Sequence, residues 1–177
     1  GVQAGSDLRV FDTDRGKIAI MLSNDIEAPE LSRQATEQGA ALLFVPFCVE
    51  EHYSYLRIRY CAQARAIENG VYVVLAGLAG SLPTSEAMDI QYAQSGIYTP
   101  SDFAFPRDAI AAECLPNIET VLVHDLDLTL LEEYRRRTNA PAKTSRELSV
   151  VSALREPEQT ENESEKYGPA PLRISAL

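Results

Sequence analysis

The chain is poor in the residues that hold metals and phosphates. Its 177 residues include three cysteines and two histidines. Cys48, Cys61 and Cys114 form no CxxC pair, and neither histidine stands at metal-ligand spacing from a second ligand. No metal and no cofactor are therefore expected. An odd cysteine count without metal spacing fits reduced thiols, so a cytoplasmic location is expected. Lysine and arginine number 16 against 26 acids, a net charge of −10. Such a surface repels a phosphate backbone, which argues against a nucleic-acid partner. No apolar run approaches the roughly 20 residues of a membrane span, so no membrane partner is expected. Gly77 and Gly80 (GLAG) lack the GxGxxG spacing of a dinucleotide loop. No internal repeat is visible.

What is present is core. Hydrophobic residues make up 45% of the chain, and 177 residues suffice for one packed domain. Strands are expected at Leu8–Asp12 and Lys17–Leu22, joined into a hairpin by Asp14-Arg15-Gly16. A helix is expected over Pro29–Gln38, with Pro29 in its first turn and Gly39 past its end. Ala41–Phe47 is a continuous apolar run, the pattern of a strand covered on both faces. A helix from His52 to Glu68 follows, with Tyr53, Leu56, Tyr60, Ala64 and Ile67 read as its apolar stripe. Val71–Gly77 is another buried strand, and Ser81–Met88 a polar loop. Ser95–Thr99, Ala109–Leu115 and Glu119–Asp127 read as strands joined by turns, which makes this half antiparallel. Leu128–Thr138 is a short helix whose Arg135-Arg136-Arg137 suits its negative end as a solvated terminus. Residues 139–177 are rich in Glu, Ser, Thr, Pro and Lys, and are expected to form a disordered tail.

The candidate chemistry concentrates where strand Lys17–Leu22 gives way to Ser23-Asn24-Asp25. A small hydroxyl residue at a strand-to-helix turn stands where open α/β folds place their reactive groups. Cys48 is a second candidate nucleophile, with Glu50, Glu51 and His52 close behind it. A pocket-lining or core thiol is the preferred reading, because nothing constrains His52 relative to the sulfur. Cys61 and Cys114 read as core residues, and His124 as a structural histidine on an alternating strand. Glu68 and Asn69 end the long helix. A carboxylate there opposes the helix dipole, so an ion pair or buried hydrogen bond is expected to compensate.

Several segments together resemble the carbon–nitrogen hydrolase (nitrilase) superfamily. They are Val10-Phe11-Asp12-Thr13, Gly16-Lys17-Ile18, Asp25-Ile26-Glu27, Pro29-Glu30-Leu31, Ala64-Arg65-Ala66-Ile67-Glu68-Asn69, and Ser95 within YAQSGIYTP. They follow the family's order and spacing over about Leu8 to Arg137. Val45–Asn69 and Asp89–Glu119 further resemble the branch in which this domain follows an acetyltransferase domain.

The resemblance implies an α/β fold, the second half of a four-layer α-β-β-α sandwich with a mixed sheet. Residues 1–138 would form a partial domain whose N-terminal part precedes Gly1. Family enzymes hydrolyse amides or nitriles with a Glu–Lys–Cys triad. The nucleophile's position falls on Ser23, and the Asn24 N–H would help build the oxyanion hole. Asp25 and Cys48 would line the pocket, and Glu68, Asn69 and Ser95 would serve as structural motif residues. The family's Glu and Lys would lie upstream of Gly1, and Lys17 does not match the catalytic lysine. Asn24 stands where the family usually has an aromatic, and Ala28 where it usually has Phe. A hydroxyl is far less acidic than a thiol and needs its own base. The chain is therefore expected to be inactive by itself. The alternative is a non-catalytic assembly domain of a larger protein. Family habit further implies a homodimer built through outer-layer helices. A half-sandwich would expose apolar faces, so the isolated chain is expected to aggregate or stay partly molten.

Overall fold

A computed structural model describes residue 5 and residues 7–81 and 90–138. The chain divides into two units, 1–143 and 144–177. The expected tail, residues 139–177, lies outside the described residues, as does nearly all of the expected loop Ser81–Met88.

The local signals are met closely. β1 (Val10–Thr13) and β2 (Gly16–Ile20) pair antiparallel across the expected turn, with Gly16 at φ +124°. A five-residue helix, α1 (Ser23–Glu27), begins at Ser23 itself. It breaks at Ala28, which adopts an extended conformation because the following Pro29 disfavours helix in its predecessor. α2 (Pro29–Glu37) ends before Gly39, at φ +98°. β3 (Leu42–Phe47), α3 (His52–Asn69) and β4 (Tyr72–Gly77) follow, with Gly70 in the left-handed region closing α3. β5 (Gly96–Tyr98), β6 (Ile110–Glu113) and α4 (Leu128–Thr138) complete the described order.

The six strands form one mixed sheet in the order β1-β2-β3-β4-β5-β6. β2, β3 and β4 run parallel, while β1, β5 and β6 pair antiparallel with their neighbours. The expected antiparallel second half is thus present in β5 and β6.

One sheet face carries Ala19, Leu43, Val45, Phe47, Val73, Leu75 and Tyr98. These pack with Ile26, Ala35, Tyr55, Ile58, Ala62 and Ala66 of the helices into the main core. The alternate strand residues point the other way. There Leu42 and Tyr72 meet Phe105, Leu131 and Tyr134, so α4 covers one end of that face. The remainder is open: Pro46, Ala76 and Ile20 are exposed. β3 is therefore covered on one face and part of the other, not on both throughout.

Four expectations need correction. The stripe Tyr53, Leu56, Tyr60, Ala64, Ile67 is not the core face of α3. The buried face is Tyr55, Ile58, Ala62, Arg65, Ala66 and Asn69. That face uses alanines, which let the helix lie close on the sheet, so its hydrophobic signal is the weaker of the two. Glu119–Asp127 forms no strand: it has no ladder partner among the described residues, and Val121 and Val123 are 86% and 83% exposed. His124 is accordingly exposed rather than structural. Arg135 is not a solvated terminus. Its Nε donates to the Gly70 carbonyl at 2.6 Å and its NH2 to the Ala40 carbonyl at 2.7 Å.

Candidate functional site

The parallel strands β2, β3 and β4 share one carboxyl edge, and Ser23, Asn24, Asp25, Cys48 and Ser95 gather there, whereas Glu68 and Asn69 end α3 just before the amino end of β4. After β2 the chain turns through Leu22, with φ −78° and ψ 168°, and α1 begins at Ser23. The Asp25 carboxylate accepts the Leu22 N–H at 2.8 Å, while the Asp25 N–H donates to the Leu22 carbonyl at 2.9 Å. This reciprocal pair fixes the start of the turn. Asp25, read as a pocket residue, thus spends its carboxylate on its own elbow. The backbone N–H groups of Ser23 and Asn24 accordingly have no acceptor among the described residues, as first-turn donors commonly do not. Ser23 is half-buried and Asn24 exposed. No acid, lysine or imidazole bonds to the Ser23 hydroxyl among the described residues.

The far end of α1 is held by a residue the sequence reading quoted but did not single out. Arg65, 7% exposed, donates from Nε to the Ile26 carbonyl at 3.1 Å and from NH2 to the Glu27 carbonyl at 3.0 Å. Its NH1 meets Glu68 Oε2 at 3.0 Å. This is the ion pair expected at the end of α3, and its partner sits three residues earlier on the same helix. Asn69 is buried and donates from Nδ2 to the Arg65 carbonyl at 3.1 Å, while its Oδ1 has no hydrogen-bond partner among the described residues. The signal that could have revealed Arg65 was a cation on the alanine-rich face of α3.

Cys48 follows β3 and is exposed. Its thiol donates to Gln91 Oε1 at 2.8 Å. His52 does not engage it; its ring packs on Tyr92 at a centroid distance of 4.7 Å and on Tyr55 at 6.1 Å. The Cys48–His52 pairing considered from sequence is therefore not formed. After β4, Ser95 accepts the Gly77 N–H on its hydroxyl at 3.1 Å, and its own N–H donates to Cys114 Sγ at 3.1 Å. Ser95 thus tethers β4 to β5. Cys61 packs half-buried against the core.

Behind this edge, α3 is pinned to the antiparallel strands by a charged network. Arg59 pairs with Glu113 at 2.8 Å, and Glu113 also accepts the Tyr98 hydroxyl at 3.1 Å. The Tyr55 hydroxyl donates to Gln94 Oε1 at 3.1 Å. Burial pushes the Tyr55 phenol up to about 12 and raises Tyr98 further, while Glu113 lifts Arg59 above its ordinary range. Among the described residues no group of three His, Cys, Asp or Glu side chains could hold a metal ion, and no helix is long and apolar enough to cross a membrane. A cleft of about 710 Å³ opens on the other sheet face, lined by Ile18, Leu42, Phe44 and Leu128 among others.

Known proteins resemble this chain in sequence and in fold. The family description "Carbon-nitrogen hydrolase" matches residues 2–136. The probable hydrolase YhcX of Bacillus subtilis is 57% identical over 136 residues, which cover 77% of this chain and 26% of that protein. The deaminated glutathione amidase of Dictyostelium discoideum is 26% identical over 148 residues, covering 84% of this chain and 47% of the amidase. Nit3 of Saccharomyces cerevisiae, a member of branch 10 of the nitrilase superfamily, superposes with a TM-score of 0.62 at 24% identity, covering 82% of this chain and 49% of its own. The chain thus spans about a quarter to a half of the length of these relatives. Its mixed sheet is nitrilase-like in fold, and with the match covering most of its residues, the chain belongs to the carbon–nitrogen hydrolase family.

Proposed function

We propose that this chain supplies the nucleophile-bearing part of a carbon–nitrogen hydrolase domain, with Ser23 where the family has cysteine, and that by itself it does not turn over an amide or nitrile. The observation that carries the reading is the elbow after β2: a small side chain opening α1, with the N–H groups of Ser23 and Asn24 free to receive an oxyanion. The absence of a base on the Ser23 hydroxyl among the described residues supports inactivity. A hydroxyl without a base is a poor nucleophile, and the family's Glu and Lys match no position of this chain. Residues up to 138 would belong to this domain, followed by a separate tail. The reduced cysteines support a cytoplasmic setting. The Bacillus relative exceeds the amidase in length by roughly one further domain, which supports a fusion of this domain to another; the acetyltransferase-fused branch rests on the resemblance of Val45–Asn69 and Asp89–Glu119. The test assays this chain by itself for hydrolysis of simple amides and nitriles. No turnover is expected; turnover that disappears in Ser23→Ala would overturn the reading.

A second reading, an assembly domain, is favoured by the outward face of α3. Tyr53, Tyr60 and Ile67 lie there 66%, 57% and 42% exposed. With Leu56 and Ala64 they are spaced symmetrically about Tyr60, so the stripe reads the same in both directions. A two-fold pairing of antiparallel α3 helices would set Tyr53 opposite Ile67 and His52 opposite Glu68 of a second copy. Sedimentation should give a dimer that Tyr60→Asp dissociates; a monomeric unsubstituted chain would count against the reading.

A further inference from the structure

Arg65 is a buried cation for which the family chemistry just described has no use. Its surroundings are unusual: the guanidinium is spent on two successive main-chain carbonyls, Ile26 and Glu27, and on one carboxylate, Glu68. Those carbonyls belong to the last residues of α1. A five-residue helix lies far below the length that stands alone in water. Its start is tied by the Asp25 carboxylate, and a main-chain bond from the Ala28 N–H to the Asp25 carbonyl closes its end. The last carbonyls of a helix otherwise look for donors. Arg65 supplies two at once, and its planar fork fixes their mutual position in a way a point charge does not.

We infer that Arg65 is the positioning residue of the elbow: by clamping the Ile26 and Glu27 carbonyls it sets where the side chain of residue 23 and the N–H groups of Ser23 and Asn24 stand. The inference rests on reading Ser23 as the nucleophile position. Glu68 has a subordinate role. It holds one corner of the guanidinium from the exposed side, with its side chain 47% accessible. Lysine at position 65 would keep the charge and lose the fork, so α1 would keep a neighbour and lose its register.

The test uses the full chain carrying Ser23→Cys, alkylated with iodoacetamide and read site by site by mass spectrometry across pH. Cys48, Cys61 and Cys114 serve as internal references. The thiol installed at position 23 should react faster than Cys48. Adding Arg65→Lys should slow it by about tenfold or more and move its pH midpoint, with Cys48 unchanged, because small misplacements at a reacting atom carry penalties of that size. Adding Glu68→Gln instead should leave the rate within about twofold, since the carbonyl bonds remain. An unchanged rate in Arg65→Lys overturns the inference, as does equal slowing at Cys48 or an equal loss in Glu68→Gln. A thiol at position 23 that is no more reactive than Cys48 while Arg65 is intact overturns the nucleophile reading instead. In that event, or where Arg65→Lys does not fold, amide exchange in the unsubstituted chain decides. A clamped α1 exchanges its Asp25, Ile26 and Ala28 amides as slowly as β2, and faster local exchange overturns the clamp.

Discussion

Single residues carry more of this architecture than their chemistry suggests. Asp25 and Arg65 both carry charges, and both spend them on backbone within a few residues of Ser23. Asp25 was legible as a member of a motif, but its target was not, because a carboxylate three residues past a turn reads equally as a cap or as a pocket acid. Ser95 was legible in the same partial way: its hydroxyl turns out to hold the Gly77 N–H. Gly77 shows the opposite case, a residue defined by what cannot be there. A Cβ at this position would overlap the Phe47 ring and stand 2.6 Å from the Ala93 methyl. Its place in GLAG suggested a ligand loop to be excluded; its reason is packing at the edge of the sheet. Gly77→Ala should lower stability by about 2 kcal/mol through overpacking, read as a drop in the midpoint of chemical denaturation. An unchanged midpoint would mean that Phe47 swings aside freely.

At the scale of elements, hydrophobic pattern located almost every strand and helix, and misjudged one face. The boundaries of β3, β4 and α4 fall within a residue or two of expectation because Gly39, Gly70, Gly77 and Asp127 stand at or near their ends. α3 misled because it bears two apolar stripes. The richer stripe, with two tyrosines and an isoleucine, faces outward, and the alanine-rich one faces the sheet. Periodicity fixes which residues share a face; it does not say which face meets the sheet when both are apolar. Glu119–Asp127 alternates like a strand but lacks a ladder among the described residues, and pairing depends on a neighbour that local sequence does not contain. α4 was located correctly, yet its anchoring was invisible, since the acceptors of Arg135 lie 65 and 95 residues away. Burial holds the Arg135 guanidinium below its ordinary range, and the two carbonyls compensate by direct bonding. Arg135→Ala should therefore release α4 selectively, at about 2 kcal/mol for two charge-assisted bonds. Amide exchange should rise across 128–138 while α3 stays protected; uniform protection in both helices would contradict this.

Among the described residues, α1, α2 and α3 pack on one sheet face, and α4 covers one end of the other. Mixed-sheet topology and fold class were legible in advance, because the hairpin, the parallel centre and the antiparallel flank each leave a local mark. The division of labour between faces was legible only in part, since both faces of β3 are apolar in sequence. Whole-molecule stability should also carry an alkaline limit. Burial raises Tyr55 and Tyr72 from 10 to about 12, and raises Tyr98 as well. Unfolded, all three would ionise near pH 10. A raised folded pKa means that the unfolded chain releases these protons first, so the contribution is complete below pH 10 and is lost as pH climbs towards 12. Of the eight tyrosines, these three should ionise late and together with unfolding in an ultraviolet titration. Eight independent transitions near pH 10 would contradict the burial.

The Arg135 bonds also impose an order of events on the ribosome. Ala40 leads into β3 and Gly70 follows α3, so both acceptors are translated long before their donor. While β2, β3 and β4 emerge, their parallel ladders can already form, but the Ala40 and Gly70 carbonyls still face water and the lower end of the second sheet face stays bare. Only when α4 leaves the exit tunnel does one side chain bridge the two connections and bring Leu131 down over Tyr72. A nascent chain stalled before Arg135 should therefore be a ready client for chaperones, and one stalled with α4 fully emerged a poorer one.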